Sequence, residues 1–215
     1  MKTTACIITG GEITGGFLKK MAEKYADALL VAVDGALEIT DSLGIVPDYI
    51  VGDFDTVNPS VLCKYPEEKI LRHLPEKDQT DTELAMETAV SSGCSRIVLL
   101  GAVGSRLDHS LANIFLLERM AGHGVETVIY NENNKLYLKN ESFQIKRTEQ
   151  YGDFVSLLPL TDRVEHVTLS GLKYSLQDRT FYREESLGIS NEIIEEEATI
   201  TFSEGMFLVV ESKDK

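Results

Sequence analysis

Four short acidic strings follow runs of apolar residues in this chain. Asp34 follows residues 29–33, and Gly52-Asp53-Phe54-Asp55 follows residues 49–51. Lys77-Asp78-Gln79-Thr80-Asp81 follows residues 69–74, and Ser105-Arg106-Leu107-Asp108-His109 comes a few residues after 96–100. Carboxylates brought together repel one another unless a cation sits between them. Hard oxygen ligands are what Mg²⁺ requires, and it normally shares its shell with substrate phosphates. The chemistry expected is therefore one or two Mg²⁺ ions bridging Asp53, Asp55, Asp81 and Asp108 to a polyphosphate. Asp53 and Asp55, two apart around an aromatic residue, suit a metal better than a turn. The other acids each have a plainer reading. Asp81 and Asp108 fall in first helical turns, where the helix dipole alone favours an acid. Asp34, before Gly35, also suits an ordinary turn. Lys77 and Arg106 add the cationic donors that a polyphosphate site needs, although either alone reads as exposed charge.

These strings need elements to hold them. Residues 4–9, 29–33, 48–51, 69–74, 96–100 and 126–130 are short apolar runs, each closed by a turn signal, and read as strands. Helical patterns lie between them at 16–25, 36–43, 59–65, 82–92 and 107–122. Thr80-Asp81-Thr82-Glu83 has the form of a capping box and fixes one helix start. Strand–helix alternation implies a mostly parallel sheet, α/β in class, with helices on both faces. In such a sheet all four acidic strings gather at the carboxyl ends of the strands, where ligands bind. Gly10-Gly11 after the first strand would let backbone N–H groups approach a phosphate, a weak signal because ordinary turns also use glycine. Neither a Walker motif nor a dinucleotide fingerprint occurs. Of the four histidines only His109 lies beside a candidate site.

The pattern changes at Asn131-Glu132-Asn133-Asn134. Beyond it, 135–139, 143–147, 154–158, 164–169, 198–202 and 207–211 are strand-like runs with no clear helix between them. The expected organisation is an α/β domain over residues 1–131, then a smaller antiparallel β-sandwich over 132–215.

Composition sets limits. Of 215 residues, 43% are hydrophobic and 26% charged, so a sizeable core forms without disulfides. Cys6, Cys63 and Cys94 are odd in number and widely spaced, against a disulfide framework or a zinc site. A net charge of −14 leaves no basic stripe for nucleic acid and disfavours an anionic membrane surface. No apolar run approaches a membrane span, and the N-terminus lacks signal-peptide features, so a cytoplasmic protein is expected.

Together the motifs resemble the thiamine pyrophosphokinase family. Gly52-Asp53-Phe54-Asp55-Thr56, Lys77-Asp78-Gln79-Thr80-Asp81, Arg106-Leu107-Asp108-His109 and Gly188-Ile189-Ser190-Asn191-Glu192 appear in the family's order and span most of the chain. The resemblance implies an α/β nucleotide domain and a β-sandwich. It also implies a homodimer that binds thiamine between one subunit's β-domain and its partner's α/β domain. It makes Asp53, Asp55, Asp81 and Asp108 the Mg²⁺ and triphosphate site. Asp34, Lys77, Gln79 and Arg106 become ATP contacts, and Ser190 and Asn191 the thiamine side of the pocket. Read by itself, Ser190-Asn191 is a polar turn. Thr56 stands where the family commonly has serine, Ala36 where a second glycine often follows, and Ser105 where glycine is common. A positive φ at Ser105 would strain the backbone there.

The implied reaction is pyrophosphoryl transfer from ATP to the hydroxyl of thiamine, with AMP leaving and Asp81 or Asp108 as the base. Two other readings fit the acidic set: a metal-dependent phosphohydrolase, and a non-catalytic nucleotide or thiamine sensor.

Overall fold

Every apolar run of the first part forms a strand. In the computed structural model, which describes residues 2–73 and 78–214, these are β1 (Thr4–Ile8), β2 (Leu29–Val33), β3 (Tyr49–Gly52), β4 (Ile70–Arg72), β5 (Arg96–Leu100) and β6 (Glu126–Tyr130). Their neighbours are all parallel, in the order β4-β3-β2-β1-β5-β6. Ala5–Ile8 and Ile97–Leu100 are 0% exposed at every position, without alternation. Strands buried on both faces have this signature, and helices must supply the covering layers.

The helices are α1 (Gly15–Lys24), α2 (Ala36–Ser42), α3 (Pro59–Leu62), α4 (Asp81–Ser91) and α5 (Leu107–Gly122). Leu18, Leu37, Met86 and Leu117 are their fully buried side chains. Fully burying such a residue contributes about 1.5–3 kcal/mol. Thr80 caps α4 as the sequence pattern requires, its Oγ1 accepting the Glu83 N–H at 3.2 Å. Two elements are shorter than expected. Among the described residues of the run 69–74 the strand covers Ile70–Arg72, residue 74 lying outside the described residues, and the helix opened by Pro59 ends at Leu62.

The chain divides into two compact units, Met1–Glu132 and Asn133–Lys215. In the second, β7 (Asn134–Lys139), β13 (Phe207–Ser212) and β9 (Phe154–Pro159) form one antiparallel layer, in the order β7-β13-β9. β11 (Leu176–Tyr182), β10 (Arg163–Ser170), β12 (Glu197–Thr201) and β8 (Phe143–Lys146) form the other, in that order. Residues from both layers share one core, including Phe143, Val155, Leu157, Val167, Phe181, Ile200 and Phe207. The rings of Phe181 and Phe207 meet edge-on, 5.5 Å apart. The fold class is the one expected: a mostly parallel α/β unit followed by a smaller antiparallel β unit. β11 is an addition to that reading. Cys6 and Cys94 are buried and Cys63 exposed, all three unpaired.

The strand order also says where a ligand fits. From β1 the chain steps outward through β2, β3 and β4, then returns to place β5 on the other side of β1. The strand order reverses at β1 and β5, and the crevice outside their carboxyl ends is the usual ligand position in an open parallel sheet.

Candidate active site

A cleft of about 630 Å³ opens at that crevice. Its lining comes from the end of β1 (Thr9–Glu12), the loop after β5 (Gly101–Arg106) and the first turns of α4 and α5. The β1 and β5 loops are fastened by backbone: Gly11 N–H donates to Gly101 C=O at 2.8 Å, and the Thr9 hydroxyl donates to the same oxygen at 2.5 Å. They approach so closely that a Cβ on Gly11 would collide with Gly101 C=O. Gly101 itself has φ +66°, where a side chain is strained. The loop is also held from α5. Asn113 Nδ2 donates to Ala102 C=O at 2.8 Å, and Gly104 N–H donates to Ser110 Oγ at 3.1 Å.

Beside this floor stand three carboxylates. Asp34, Asp53 and Asp55 each offer an oxygen within 4.8 Å of the others. Asp34 leaves β2, and Asp53 and Asp55 leave the neighbouring β3, so strand pairing alone brings them near. Two backbone turns finish the job: Asp34 has φ +45° and Phe54 φ +64°. Aspartate tolerates the left-handed region; phenylalanine there is unusual, and such strain clusters at functional sites. Phe54 is held in place by burial, 9% exposed among Ala32, Leu37, Ile50, Val57 and Ile70. Burying its ring fixes the turn between Asp53 and Asp55, and the Asp55 N–H donates to Asp53 Oδ1 at 3.2 Å.

The electrostatics are those of carboxylates missing a counter-charge. The Asp55 carboxyl is held above its usual range, first by the charge of Asp53, then by desolvation and by Asp34 and Asp81. Asp34 Oδ2 accepts from the Thr56 hydroxyl at 2.9 Å, while its Oδ1 is buried with no hydrogen-bond partner among the described residues. A buried, unpaired carboxylate oxygen is costly. A carboxylate with an orphaned oxygen, grouped with two further hard-oxygen donors, fits a divalent cation such as Mg²⁺.

Asp81 opens α4 and lines the cleft with Thr80 and Thr82. Arg106 lines it from the other side. Its guanidinium grips Asp108 with two hydrogen bonds, of 2.5 and 3.2 Å, which hold the Asp108 carboxyl down at about 2. Asp108 is therefore an ion-pair partner of Arg106; like Asp53 and Asp55, it stands beside the cleft lining and is not among the residues that form it. Lys77 lies outside the described residues.

Two family models divide this chain between them. The thiamin pyrophosphokinase catalytic domain matches residues 21–129, about half of the chain, and the thiamin pyrophosphokinase vitamin B1 binding domain matches residues 141–207. The chain belongs to the thiamin pyrophosphokinase family. The thiamine pyrophosphokinase of Bacillus subtilis is 29% identical over 88% of this chain and 91% of its own length. A thiamine pyrophosphokinase crystal structure from that organism superposes with a TM-score of 0.86, at 26% identity, covering 99% of this chain and all of the other. The thiamin pyrophosphokinase structure from Geobacillus thermodenitrificans gives 0.84 at 30% identity, over 99% and 98%.

Of the residues carried over from the thiamin pyrophosphokinase motifs, Asp34, expected as an ATP contact, lies with Asp53 and Asp55. Ser105 is not among the residues with positive φ, so serine costs nothing there. Gln79 turns its amide to Glu83 and Glu87, at 3.2 and 2.7 Å. In the second unit Ser190 has φ +55°, and its N–H donates to Ser156 Oγ at 3.0 Å. Asn191 is buried, and its amide exchanges hydrogen bonds with the Tyr174 backbone, both at 2.9 Å. Sequence reasoning passed over Thr9, Glu12, Ser110 and Asn113. The last two carried a faint signal: polar residues on the first turns of a helix that follows a candidate site.

Proposed function

We propose that this family member transfers the terminal diphosphate of ATP to the primary hydroxyl of thiamine, in the cleft between the β1 and β5 loops. The chain is a diphosphotransferase of the thiamine pyrophosphokinase type. The observation that carries the assignment to this cleft is the convergence of Asp34, Asp53 and Asp55, one oxygen of Asp34 orphaned, beside a crevice floored by backbone. The thiamine hydroxyl oxygen forms a bond to the β-phosphorus, the bond from that phosphorus to the α,β-bridging oxygen breaks, and AMP departs. Asp34, Asp53 and Asp55 would hold Mg²⁺, with Asp81 beside them; when bound it would neutralise phosphate charge.

The chain's own groups do the rest. Gly11 and the loop after β5 let the triphosphate approach the backbone closely. Arg106 meets the charge that develops on the leaving oxygen, its direction set by Asp108. Asp81, which lines the cleft, takes the hydroxyl proton. Positioning supplies much of the rate. Thiamine would meet Ser190 and Asn191 in a homodimer. The exposed α5 stripe Leu107, Leu111 and Phe115, at 71, 50 and 58% exposure, supports an association between copies. A cytoplasmic enzyme fits this reading, and among the described residues no helix is long and apolar enough to cross a membrane.

The test is incubation of the purified protein with ATP, Mg²⁺ and thiamine, followed by separation of products. Equal thiamine diphosphate and AMP, lost on chelation, are expected. ADP or free phosphate without a thiamine product would replace the proposal with a phosphohydrolase. Thiamine bound without turnover would make the chain a sensor.

A further inference from the structure

Glu83 and Glu87 lie four residues apart on α4, so their carboxylates share one face and repel. Glu83 is the more enclosed, its side chain 13% exposed against 37% for Glu87. Two groups hold them together. One is Arg119, in the last turn of α5, whose Nη1 bonds Glu83 Oε1 and whose Nη2 bonds Glu87 Oε1 at 2.6 Å. The other is Gln79, whose single Nε2 donates to both carboxylates. Gln79 sits two residues before Asp81, in the segment that carries Thr80 and Asp81 into the cleft. Thr80 is fastened separately, by the Glu83 N–H. The segment therefore has one anchor in the backbone cap and a second in the paired carboxylates.

We infer that Arg119 is a positioning residue for the nucleotide cleft, acting through Glu83 and Glu87 to hold Gln79 and hence the Asp78–Asp81 segment. Gln79 is neutral and cannot by itself keep two carboxylates side by side. Arg119 can, because its planar fork places one N–H on each and its charge offsets theirs. Removing it leaves a largely enclosed Glu83 facing Glu87 with, among the described residues, only a shared amide between them. The carboxylates then separate, and Gln79 loses one or both acceptors. The cleft loses an anchor of the segment that carries Asp81, although Arg119 is not itself one of the residues lining the cleft. This assigns Gln79 to holding the segment, not to contacting the nucleotide. The inference rests on the ATP reading above for its functional consequence, but not for the anchoring itself.

Two measurements on the full chain keep these apart. The first is the NMR signal of the Gln79 side-chain amide in ¹⁵N-labelled protein without ligand. Donation to two carboxylates displaces it from the position of a solvated carboxamide. Arg119→Met is expected to return it there, and an unmoved signal would overturn the anchoring. If Arg119→Met does not fold, Arg119→Lys, which keeps the charge and loses the fork, is read in the same way. The second is calorimetric Mg·ATP affinity for the wild type, Arg119→Met, Gln79→Ala and the double variant. Each single variant is expected to weaken binding about tenfold, a modest mispositioning effect, and the double variant no further. Losses that multiply in the double variant would show two independent effects and overturn the relay. A wild-type protein that binds no nucleotide would remove the ATP reading, while the amide signal would still decide the anchoring.

Discussion

The Thr56 hydroxyl donates a hydrogen bond to Asp34 Oδ2 at 2.9 Å, tying the loop after β3 to the loop after β2. It occupies one oxygen of Asp34 and leaves the other, Oδ1, buried with no hydrogen-bond partner among the described residues. Thr56→Val keeps the shape and removes the donor. The carboxylate then turns more freely, and affinity for Mn²⁺, followed by its paramagnetic resonance signal, is expected to fall about tenfold. Thr56→Ser should stay near wild type. Equal loss in both variants would mean that the methyl group matters and the hydroxyl does not.

Phe54 joins an unfavourable backbone conformation to a buried ring. Its φ of +64° persists because the ring is packed against Ala32, Leu37 and Ile50. Phe54→Ala removes the packing while retaining the strain. Urea unfolding should show a loss of about 3 kcal/mol or more, accompanied by weaker Mn²⁺ binding as Asp53 and Asp55 lose the fixed turn between them. Full metal affinity in a destabilised variant would separate the ring from the site.

Gly11 and Gly10 make a matched pair for testing the cleft floor. A Cβ at Gly11 meets the Gly101 carbonyl, whereas at Gly10 nothing lies within 4 Å. Gly11→Ala is expected to force the β1 and β5 loops apart, weakening ATP binding at least about tenfold and lowering stability by about 1–3 kcal/mol. Gly10→Ala should leave stability within about 0.5 kcal/mol of wild type. Thermal unfolding and nucleotide titration of both variants check this.

His166 and Asp178 face each other across β10 and β11, both with positive φ, joined by a 2.6 Å contact from Nδ1 to Oδ1. The hydrogen bond that Asp178 accepts, then its charge, raises the His166 pKa. A raised folded-state pKa means that the pair's stabilisation is fully present below the usual histidine range. It is lost as pH rises through the raised value. Both groups are exposed, so the effect is small. Asp178→Asn, which tolerates the same backbone region, should lower the His166 pKa in an NMR titration. An unchanged titration would show that the pair does not form in solution.

Much of this was legible in the chain itself. Asp34, Asp53, Asp81 and Arg106 each follow an apolar run, and parallel topology sends such ends to one edge. The Thr80–Glu83 cap was equally readable, because it depends on four consecutive residues. The grouping of Asp34 with Asp53 and Asp55 was not. It depends on β2 pairing with β3 and on left-handed turns at Asp34 and Phe54, and nothing in an Asp-Phe-Asp string signals a positive φ. The pairing of Asp108 with Arg106 was not legible either, because the string says nothing about where Arg106 points. β11 was missed for a different reason. Leu176–Tyr182 is an edge strand with one buried residue, Phe181, and its polar composition hides the alternation that a half-buried strand displays.

The floor of the cleft consists of main-chain atoms packed where Gly11 and Gly101 carry no side chains. Such a surface offers an engineer nothing to exchange. On the proposed reading, a change in which nucleoside triphosphate is accepted would be written at lining side chains such as Glu12, Arg106 and His109, while the backbone floor stays the same for every donor.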